Sequence, residues 1–161
     1  MKRIEISEEY FEEVIKAEEK FLFRLSYNIV HNIQDAEDAV SESVLKAWEK
    51  RSKVREPDKL KQWLVQIVIN TSKTMLKKRS RMVPCEEVAQ TEYKEEGGNI
   101  WYWVEELKEK ERIVVILYYY REFSVKEIAR ILHIPEGTVK SRLSKARGNL
   151  KKMLEGGNGN E

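Results

Sequence analysis

Two blocks of the chain carry lysine and arginine without any acidic residue, a composition that suits binding to phosphates. The first block spans residues 59–83 and the second spans residues 137–152. Between them, residues 84–111 carry nine glutamates and three lysines. The whole chain is nearly balanced, with 30 basic and 28 acidic residues, so the charges are separated along the sequence. Two basic blocks divided by an acidic one predict two contacts with a polyanion such as nucleic acid.

The second basic block follows a pattern that predicts a helix-turn-helix. Ser124 and Glu127 stand at the spacing of a capping box, and Phe123 and Ile128 stand at the spacing of a hydrophobic staple around the same helix start. A short turn, residues 133–135, leads into a second helix, and its proline suits a first helical turn. Apolar residues at helical spacing predict the inward face of that helix: Val139, Leu143, Ala146 and Leu150.

The outer face of the second helix carries the polar and basic side chains that we expect to contact duplex DNA. They are Thr138, Lys140, Ser141, Arg142, Ser144, Lys145 and Arg147. An α-helix fits the major groove, where side chains near its N-terminal half reach the base edges. An ordinary helical hairpin with a solvated basic face is the alternative. The lack of acidic residues from 137 to 152 favours DNA binding.

The elements before this motif are also predicted to be helices, because residues that break helices are few. Glycine is absent before Gly97, and proline occurs only at positions 57, 84 and 135. We expect Ser7 to begin the first helix and Asp35 to be the N-cap of the second. A loop at residues 51–57 precedes a third helix, whose apolar side is predicted to be buried: Leu60, Trp63, Leu64, Ile67 and Thr71.

The predicted fold class is all-α, with two small helical domains joined by a flexible linker. Pro84, scattered glutamates and the glycine pair at 97–98 indicate the linker. The predicted bounds are 1–83 for the first domain, 84–100 for the acidic linker, 101–155 for the helix-turn-helix domain and 156–161 for a disordered tail.

Composition excludes several classes of protein. Cys85 is the only cysteine, so no disulfide framework or cysteine-based zinc site can form within one chain. His31 and His133 are far apart in sequence, and we expect no metal site. No glycine-rich phosphate loop or nucleophile motif is present, so we expect no enzyme activity and no cofactor. The N-terminus lacks an apolar signal core, and no apolar run reaches about 18 residues, which predicts a soluble, cytoplasmic protein.

Three motifs resemble those of extracytoplasmic-function (ECF) sigma factors of the sigma-70 family. Residues 35–48 (DAEDAVSESVLKAW) resemble the family's polymerase-binding helix, and residues 63–71 (WLVQIVINT) resemble its −10-recognition helix. Residues 134–147 (IPEGTVKSRLSKAR) resemble its C-terminal region. The motifs follow the family's order and spacing, and the resemblance covers about residues 10–154.

The resemblance implies a sigma factor that joins core RNA polymerase and directs promoter-specific initiation. The first domain would bind polymerase and recognise the melted −10 element, and the second would recognise the duplex −35 element. Carboxylates for a basic polymerase surface would come from Asp35, Asp38 and Glu42. For Asp35, helix capping is an equally weighted alternative. A helix-turn-helix regulator that acts without joining polymerase is the alternative function, and it leaves the two N-terminal motifs unexplained.

The resemblance also assigns residues to the −10 element, where the loop after the polymerase-binding helix captures a flipped base. The candidates are Arg51, Lys53, Arg55, Trp63, Asn70, Lys73, Lys77 and Lys78. The lysines could follow phosphates, and the amide of Asn70 could bond to a base, with a solvated or capping asparagine as the alternative. Trp63 lies on the apolar stripe, which favours a core position over a stacking platform.

Three positions depart from the family pattern. His133 stands where many relatives have glycine in the turn, and a positive φ there would cost about 1 kcal/mol. Val54 and Leu60 stand where relatives often carry aromatic residues, a departure that argues against base capture by the loop. The resemblance further implies an anti-sigma partner, membrane-anchored in many relatives, without membrane insertion of this chain. It also suggests that the acidic linker threads polymerase channels, with a solvated spacer as the alternative.

Overall fold

The computed structural model describes residues 5–82 and 100–158, which form α-helices joined by short turns, with no strand among the described residues. The chain divides into two compact units, Met1–Glu92 and Tyr93–Glu161. The seven helices of the described residues are α1 Glu8–Val30, α2 Ile33–Glu49, α3 Leu60–Met82, α4 Ile100–Glu105, α5 Glu109–Val115, α6 Val125–Leu132 and α7 Glu136–Asn158. The predicted all-α class is confirmed for these residues. The predicted linker lies outside them, apart from Ile100, which begins α4.

The first unit is a bundle in which α1, α2 and α3 all pack against one another. Ser7 caps α1, because its hydroxyl accepts a hydrogen bond of 3.1 Å from the Tyr10 N–H, as the sequence predicts. The helix ends at Val30, and the next residue, His31, is its C-cap, with a left-handed backbone (φ 54°) that lets its N–H bond to the Tyr27 carbonyl.

The N-cap of α2 is Asn32, so the expectation that Asp35 fills this position is wrong. The Asn32 backbone is extended, and its side chain accepts a hydrogen bond of 2.9 Å from the Asp35 N–H. Both residue types favour caps. Because α1 already ends at Val30, with His31 as its C-cap, α2 can begin directly after Asn32, and Asp35 becomes part of the first helical turn.

One end of this bundle is an apolar cluster built from all three helices and the segment between α2 and α3. Its buried members are Ile6, Phe11, Ala47, Val54, Leu60 and Leu64. The ring of Trp48 lies 5.2 Å from the ring of Phe11, and Trp63 packs against the cluster while partly exposed. The segment between α2 and α3 consists of two single 3-10 turns, Arg51–Lys53 and Pro57–Lys59, which hold Val54 and Leu60 in the core.

The second unit places α5, α6 and α4 against the long helix α7. Helix α5 continues into a π-helical turn, Ile116–Tyr120, which closes with a bond of 3.3 Å from the Arg121 N–H to the Ile116 carbonyl. Asn149 on α7 donates 2.9 Å to the buried carboxylate of Glu111 on α5. This bond adds a polar tie to the apolar packing between the two helices.

Buried Arg112 fixes the junction between α4 and α5. Its guanidinium donates to the Leu107 carbonyl at 2.8 Å and to the Glu105 carbonyl at 3.4 Å. Burial lowers the pKa of Arg112, and the nearby carboxylates of Glu109 and Glu105 oppose that shift. The guanidinium therefore replaces water at carbonyls that the end of a helix leaves without partners.

The C-terminal helix is longer than the sequence predicts. A disordered tail is expected from residue 156, but α7 continues to Asn158, and residues 159–161 lie outside the described part of the chain. Glycine disfavours a helix, but extending an existing helix adds a hydrogen bond without a new nucleation cost. The glycines at 156 and 157 therefore do not end the helix.

Candidate nucleic-acid interface

The helix-turn-helix has the geometry that its sequence predicts. Ser124 accepts from the Glu127 N–H at 3.1 Å, and the Glu127 carboxylate accepts from the Ser124 N–H at 3.0 Å, which completes the capping box of α6. His133 ends α6 in the left-handed region (φ 54°), as suspected from the missing glycine. The turn then allows the Ile134 N–H to bond to the Ala129 carbonyl at 3.1 Å. These contacts fix the approach of α7 to α6.

The outer face of α7 is polar, basic and accessible. Lys140, Ser141, Ser144 and Lys145 are exposed, while Thr138 and Arg142 are half-buried. On the opposite face, Val139, Leu143 and Ala146 are buried, and Leu150 is partly buried. The helix therefore presents one continuous basic face at a width that the major groove accepts. Lysine and arginine there would meet phosphates and base edges.

Arg147 is the exception on this helix. Its Nε donates to the hydroxyl of Tyr119, and its guanidinium lies 5.6 Å from the ring of Tyr119 and 5.8 Å from that of Tyr118. Arg147 is exposed, yet its charge is directed toward the π-helical turn after α5. Helical periodicity places Arg147 on the same face as Lys140 and Lys145. It does not predict the contact with Tyr118 and Tyr119, because these residues come from a distant segment of the sequence.

A second polar face lies on α3. Asn70, Lys73 and Lys77 are exposed at successive turns of one side of the helix, with Lys78 beside them. The other side is buried by Leu64, Val65, Val68 and Ser72, and the Ser72 hydroxyl lies 2.7 Å from that of Ser26 on α1. Thr71 is buried, as the apolar stripe predicts. The arrangement leaves one amide and three ammonium groups in a row against solvent.

The segment between α2 and α3 lines a small polar cavity of about 300 Å³. Its walls are Glu5, Ile6, Glu49, Arg51, Ser52, Val54 and Arg55. Lys53 and Arg55 are exposed, whereas Arg51 donates to the Trp48 carbonyl at 2.7 Å and lies 3.6 Å above the Trp48 ring. Val54 and Leu60 are 8% and 0% exposed. These two positions, where the sequence departs from the family pattern, therefore belong to the apolar core.

The three candidate carboxylates on α2 differ in accessibility. Asp38 accepts from the Gln34 amide at 3.0 Å, and Glu42 pairs with Lys46 at 3.0 Å with about half of its side chain exposed. Asp35 is only 16% exposed and forms an ion pair with Arg79 of α3. Asp38 and Glu42 are therefore open to an outside partner, while Asp35 has a partner on another helix.

An apolar groove of about 760 Å³ in the second unit is the feature that the sequence predictions missed. It lies between α4, the π-helical turn and the end of α7, and its lining includes Ile100, Trp101, Tyr119, Tyr120, Leu150 and Leu154. Ile100, Tyr119, Tyr120 and Leu154 are all at least 38% exposed. A contiguous exposed apolar patch of this kind is typical of an interaction surface. The aromatic clusters at 101–103 and 118–120 are the signal that could have indicated it.

Residues 5–82 and 100–158 contain neither a cluster of metal-binding side chains nor a helix that could span a membrane. Within them, no group of three or more histidine, cysteine, aspartate or glutamate side chains is arranged to hold a metal ion. None of the helices in the same ranges combines the length and the apolar content required to cross a bilayer.

Comparison with known proteins covers both units. Residues 14–82 match the family model of sigma-70 region 2, and residues 99–150 match that of sigma-70 region 4. The ECF RNA polymerase sigma factor SigW of Bacillus subtilis is 29% identical over 165 residues, with 89% of this chain and 88% of the relative covered. The ECF RNA polymerase sigma-E factor of Salmonella typhimurium is 30% identical over 134 residues, with 70% of each chain covered.

Solved structures agree with these matches. The sigma factor RpoE of Bartonella quintana, solved in complex with the anti-sigma factor NepR, superposes with a TM-score of 0.76 at 27% identity, covering 90% of this chain and 96% of that one. CnrH, solved with the cytosolic domain of CnrY, shares the fold with a TM-score of 0.67 at 20% identity, covering 91% of this chain and 88% of that one. With a region 2 unit, a region 4 unit and relatives of matching length, this chain belongs to the sigma-70 family, among its extracytoplasmic-function RNA polymerase sigma factors.

Proposed function

We propose that this sigma factor binds core RNA polymerase through its first unit and directs initiation by recognising a melted −10 element and a duplex −35 element. The observation that carries the proposal is that two basic faces of different kinds lie on separate units. The face on α7 is a single exposed helix next to a capped turn, whereas the first unit combines the exposed polar face of α3 with a small polar cavity in the segment between α2 and α3. A helix suits a groove, and a polar cavity beside the exposed side chains of Lys53 and Arg55 suits an unstacked base.

For polymerase binding we propose the α2 carboxylates, with Asp38 and Glu42 in direct contact because both are exposed. Carboxylates on a helix face complement a basic partner surface and orient its approach. Asp35 belongs to the same set from its sequence position, but its low exposure and its pairing with Arg79 favour a supporting role.

For the −10 element we propose two kinds of contact. Lys73, Lys77 and Lys78 contact phosphates, which positions the strand without selecting its sequence. Bases are contacted by Asn70 and by the 51–55 segment, whose exposed basic residues are Lys53 and Arg55. Arg51 and Trp63 support this surface from beneath, because Arg51 is held by Trp48 and Trp63 packs against the apolar cluster.

For the −35 element we propose the outer face of α7. Arg142 and Lys145 are the candidates for base contacts, with Thr138, Lys140, Ser141 and Ser144 completing the face. A bidentate arginine contact to guanine is worth roughly 1–3 kcal/mol of discrimination against other bases. Arg147 is directed toward Tyr119, so we assign it a role at the edge of this face.

An anti-sigma factor is the proposed regulator, since the RpoE and CnrH structures that share this fold were solved with NepR and CnrY. We further propose that the chain acts in the cytoplasm, where its polymerase partner works, and that it has no catalytic activity of its own. A regulator that never joins polymerase would need only the second unit, and the region 2 match of the first unit favours a sigma factor.

The test is co-purification of the chain with bacterial core RNA polymerase, followed by transcription from a random-sequence promoter library. We expect a stable complex with core polymerase. The 5′ ends of its transcripts should map downstream of one shared pair of −35 and −10 sequences. A chain that binds duplex DNA but neither co-purifies with core polymerase nor starts transcripts would support the regulator instead.

A further inference from the structure

One ion pair links the two helices that carry the proposed polymerase and −10 contacts. Asp35 lies in the first turn of α2, and Arg79 lies in the last turns of α3. Their side chains form an ion pair in which the Asp35 side chain is 16% exposed and that of Arg79 is 36% exposed. The pair joins residues 44 positions apart, across helices that pack along each other.

The neighbouring carboxylates behave differently. Asp38 and Glu42 accept from Gln34 and Lys46, which belong to α2 itself. Those contacts stabilise one helix and leave its relation to other elements unchanged. Among the three candidate polymerase carboxylates, Asp35 is the one whose side chain contact reaches α3.

The ends of the two helices favour this pair. A carboxylate at the start of α2 lies at the positive end of that helix dipole, and a guanidinium at the end of α3 lies at the negative end of its own. Arg79 is adjacent to Lys78 and two residues from Lys77, both of which are exposed. A contact that holds Arg79 therefore also sets where these two ammonium groups lie.

We infer that Arg79 is a positioning residue, which clamps the end of α3 to the start of α2 through Asp35 and so holds Lys77 and Lys78 in register with the DNA backbone. The inference rests on the proposed role of α3 in binding single-stranded DNA. It gives Asp35 a function inside the protein and leaves Asp38 and Glu42 to face polymerase. It also gives Arg79 a different role from that of Lys77 and Lys78, which we propose to contact phosphates directly.

The experiment measures the affinity of the full chain for a fluorescent single-stranded DNA 20-mer of random sequence, because phosphate contacts need no sequence. Asp35→Asn removes a negative charge, so charge alone predicts equal or tighter binding. The clamp predicts the opposite, a loss of about threefold, the size expected for one partly exposed ion pair. Arg79→Gln should give a similar loss, and the double variant should bind no more weakly than Arg79→Gln alone.

Matched controls separate positioning from charge. Glu37→Gln removes the same charge from an exposed position of the same helix, and it should bind as tightly as the wild type or more tightly. The slope of log affinity against log salt should become shallower in Asp35→Asn by about 0.7 for each phosphate that the protein no longer neutralises. A purely structural defect lowers the folded fraction without changing that slope.

Each outcome decides the matter. Binding of Asp35→Asn at or above the wild-type affinity would overturn the clamp, as would loss of its helical circular dichroism, since the pair would then hold the fold itself. Lys77→Gln with Lys78→Gln tests the underlying function. If that variant binds single-stranded DNA like the wild type, both the role of α3 and the clamp are wrong. If it binds more weakly while Asp35→Asn keeps the wild-type affinity, only the clamp is wrong.

Discussion

Basic side chains on one helix face do not all have the same freedom to contact DNA. On α7, Lys140 and Lys145 point into solvent, Arg142 is half-buried beside the core residue Leu143, and Arg147 is held by Tyr119. A half-buried arginine has fewer orientations to lose on binding than a free lysine. We therefore expect Arg142 to contribute most to sequence discrimination and the lysines to contribute more to general affinity.

Substitution at the residue scale tests this division. Arg142→Ala should weaken binding to the −35 duplex by roughly 1–3 kcal/mol and relax preference at one base position. Lys145→Ala should weaken −35 binding as well, while both variants still bind core polymerase. Competitive gel shifts with a cognate duplex and its single-base variants measure both effects, and Lys110→Ala, an exposed lysine of α5, is the control for charge loss. Wild-type transcription by both variants would show that the recognition face is assigned wrongly.

At the scale of elements, α2 combines a buried side and an exposed acidic side. Ala36, Ala39, Ser43 and Ala47 are buried, and these small residues let α1 and α3 approach closely. Asp38 and Glu42 are one turn apart on the exposed side, where they can meet a partner without disturbing the core. The acidic side can therefore be altered while the bundle keeps its packing.

Charge reversal on this helix should separate polymerase binding from DNA binding. Asp38→Lys with Glu42→Lys should strongly reduce binding to core polymerase, because like charges would meet at the contact. Affinity for −35 duplex DNA should stay at the wild-type value. Glu8→Lys with Glu9→Lys, exposed acids at the start of α1, is the matched control. Unchanged capture of core polymerase by the α2 variant would refute the role of this helix.

The elements differ in how far sequence predicts them. The start of α6 is predicted correctly because two local devices, a capping box and a staple, agree on one residue. The start of α2 is predicted three residues late, because Asn32 and Asp35 are both good caps and the end of α1 decides between them. Local hydrogen bonding and packing determine where α6 begins, whereas the end of the preceding helix determines where α2 begins.

The same distinction applies to the candidate interface. Helical spacing correctly places Val139, Leu143 and Ala146 inside and Lys140 and Lys145 outside. It does not show the contact of Arg147 with Tyr119 or that of Asp35 with Arg79, because each joins segments 28 or more residues apart. The apolar groove of the second unit escapes prediction for the same reason. It is formed by residues from three separate segments.

At the scale of the whole molecule, we expect two weak DNA contacts to combine into one strong promoter contact. Each unit has its own core and its own basic face, and we expect each alone to bind DNA weakly and with a steep dependence on salt. Holding both on one polymerase makes the second contact intramolecular, which raises affinity through effective concentration. The division of labour between single-stranded −10 DNA and duplex −35 DNA is the central claim.

The most direct test of that claim is transcription by polymerase carrying Asn70→Ala, measured on a fully paired promoter and on the same promoter with a pre-melted −10 bubble. Asn70 is exposed on the face of α3 that we assign to the melted strand, and Thr74→Ala, exposed one turn further on, is the control. We predict fewer transcripts from both templates with unchanged −35 binding and unchanged thermal stability, because our proposal has the Asn70 amide contact a base in the open strand. Full activity of a stably folded Asn70→Ala variant on both templates would contradict the account.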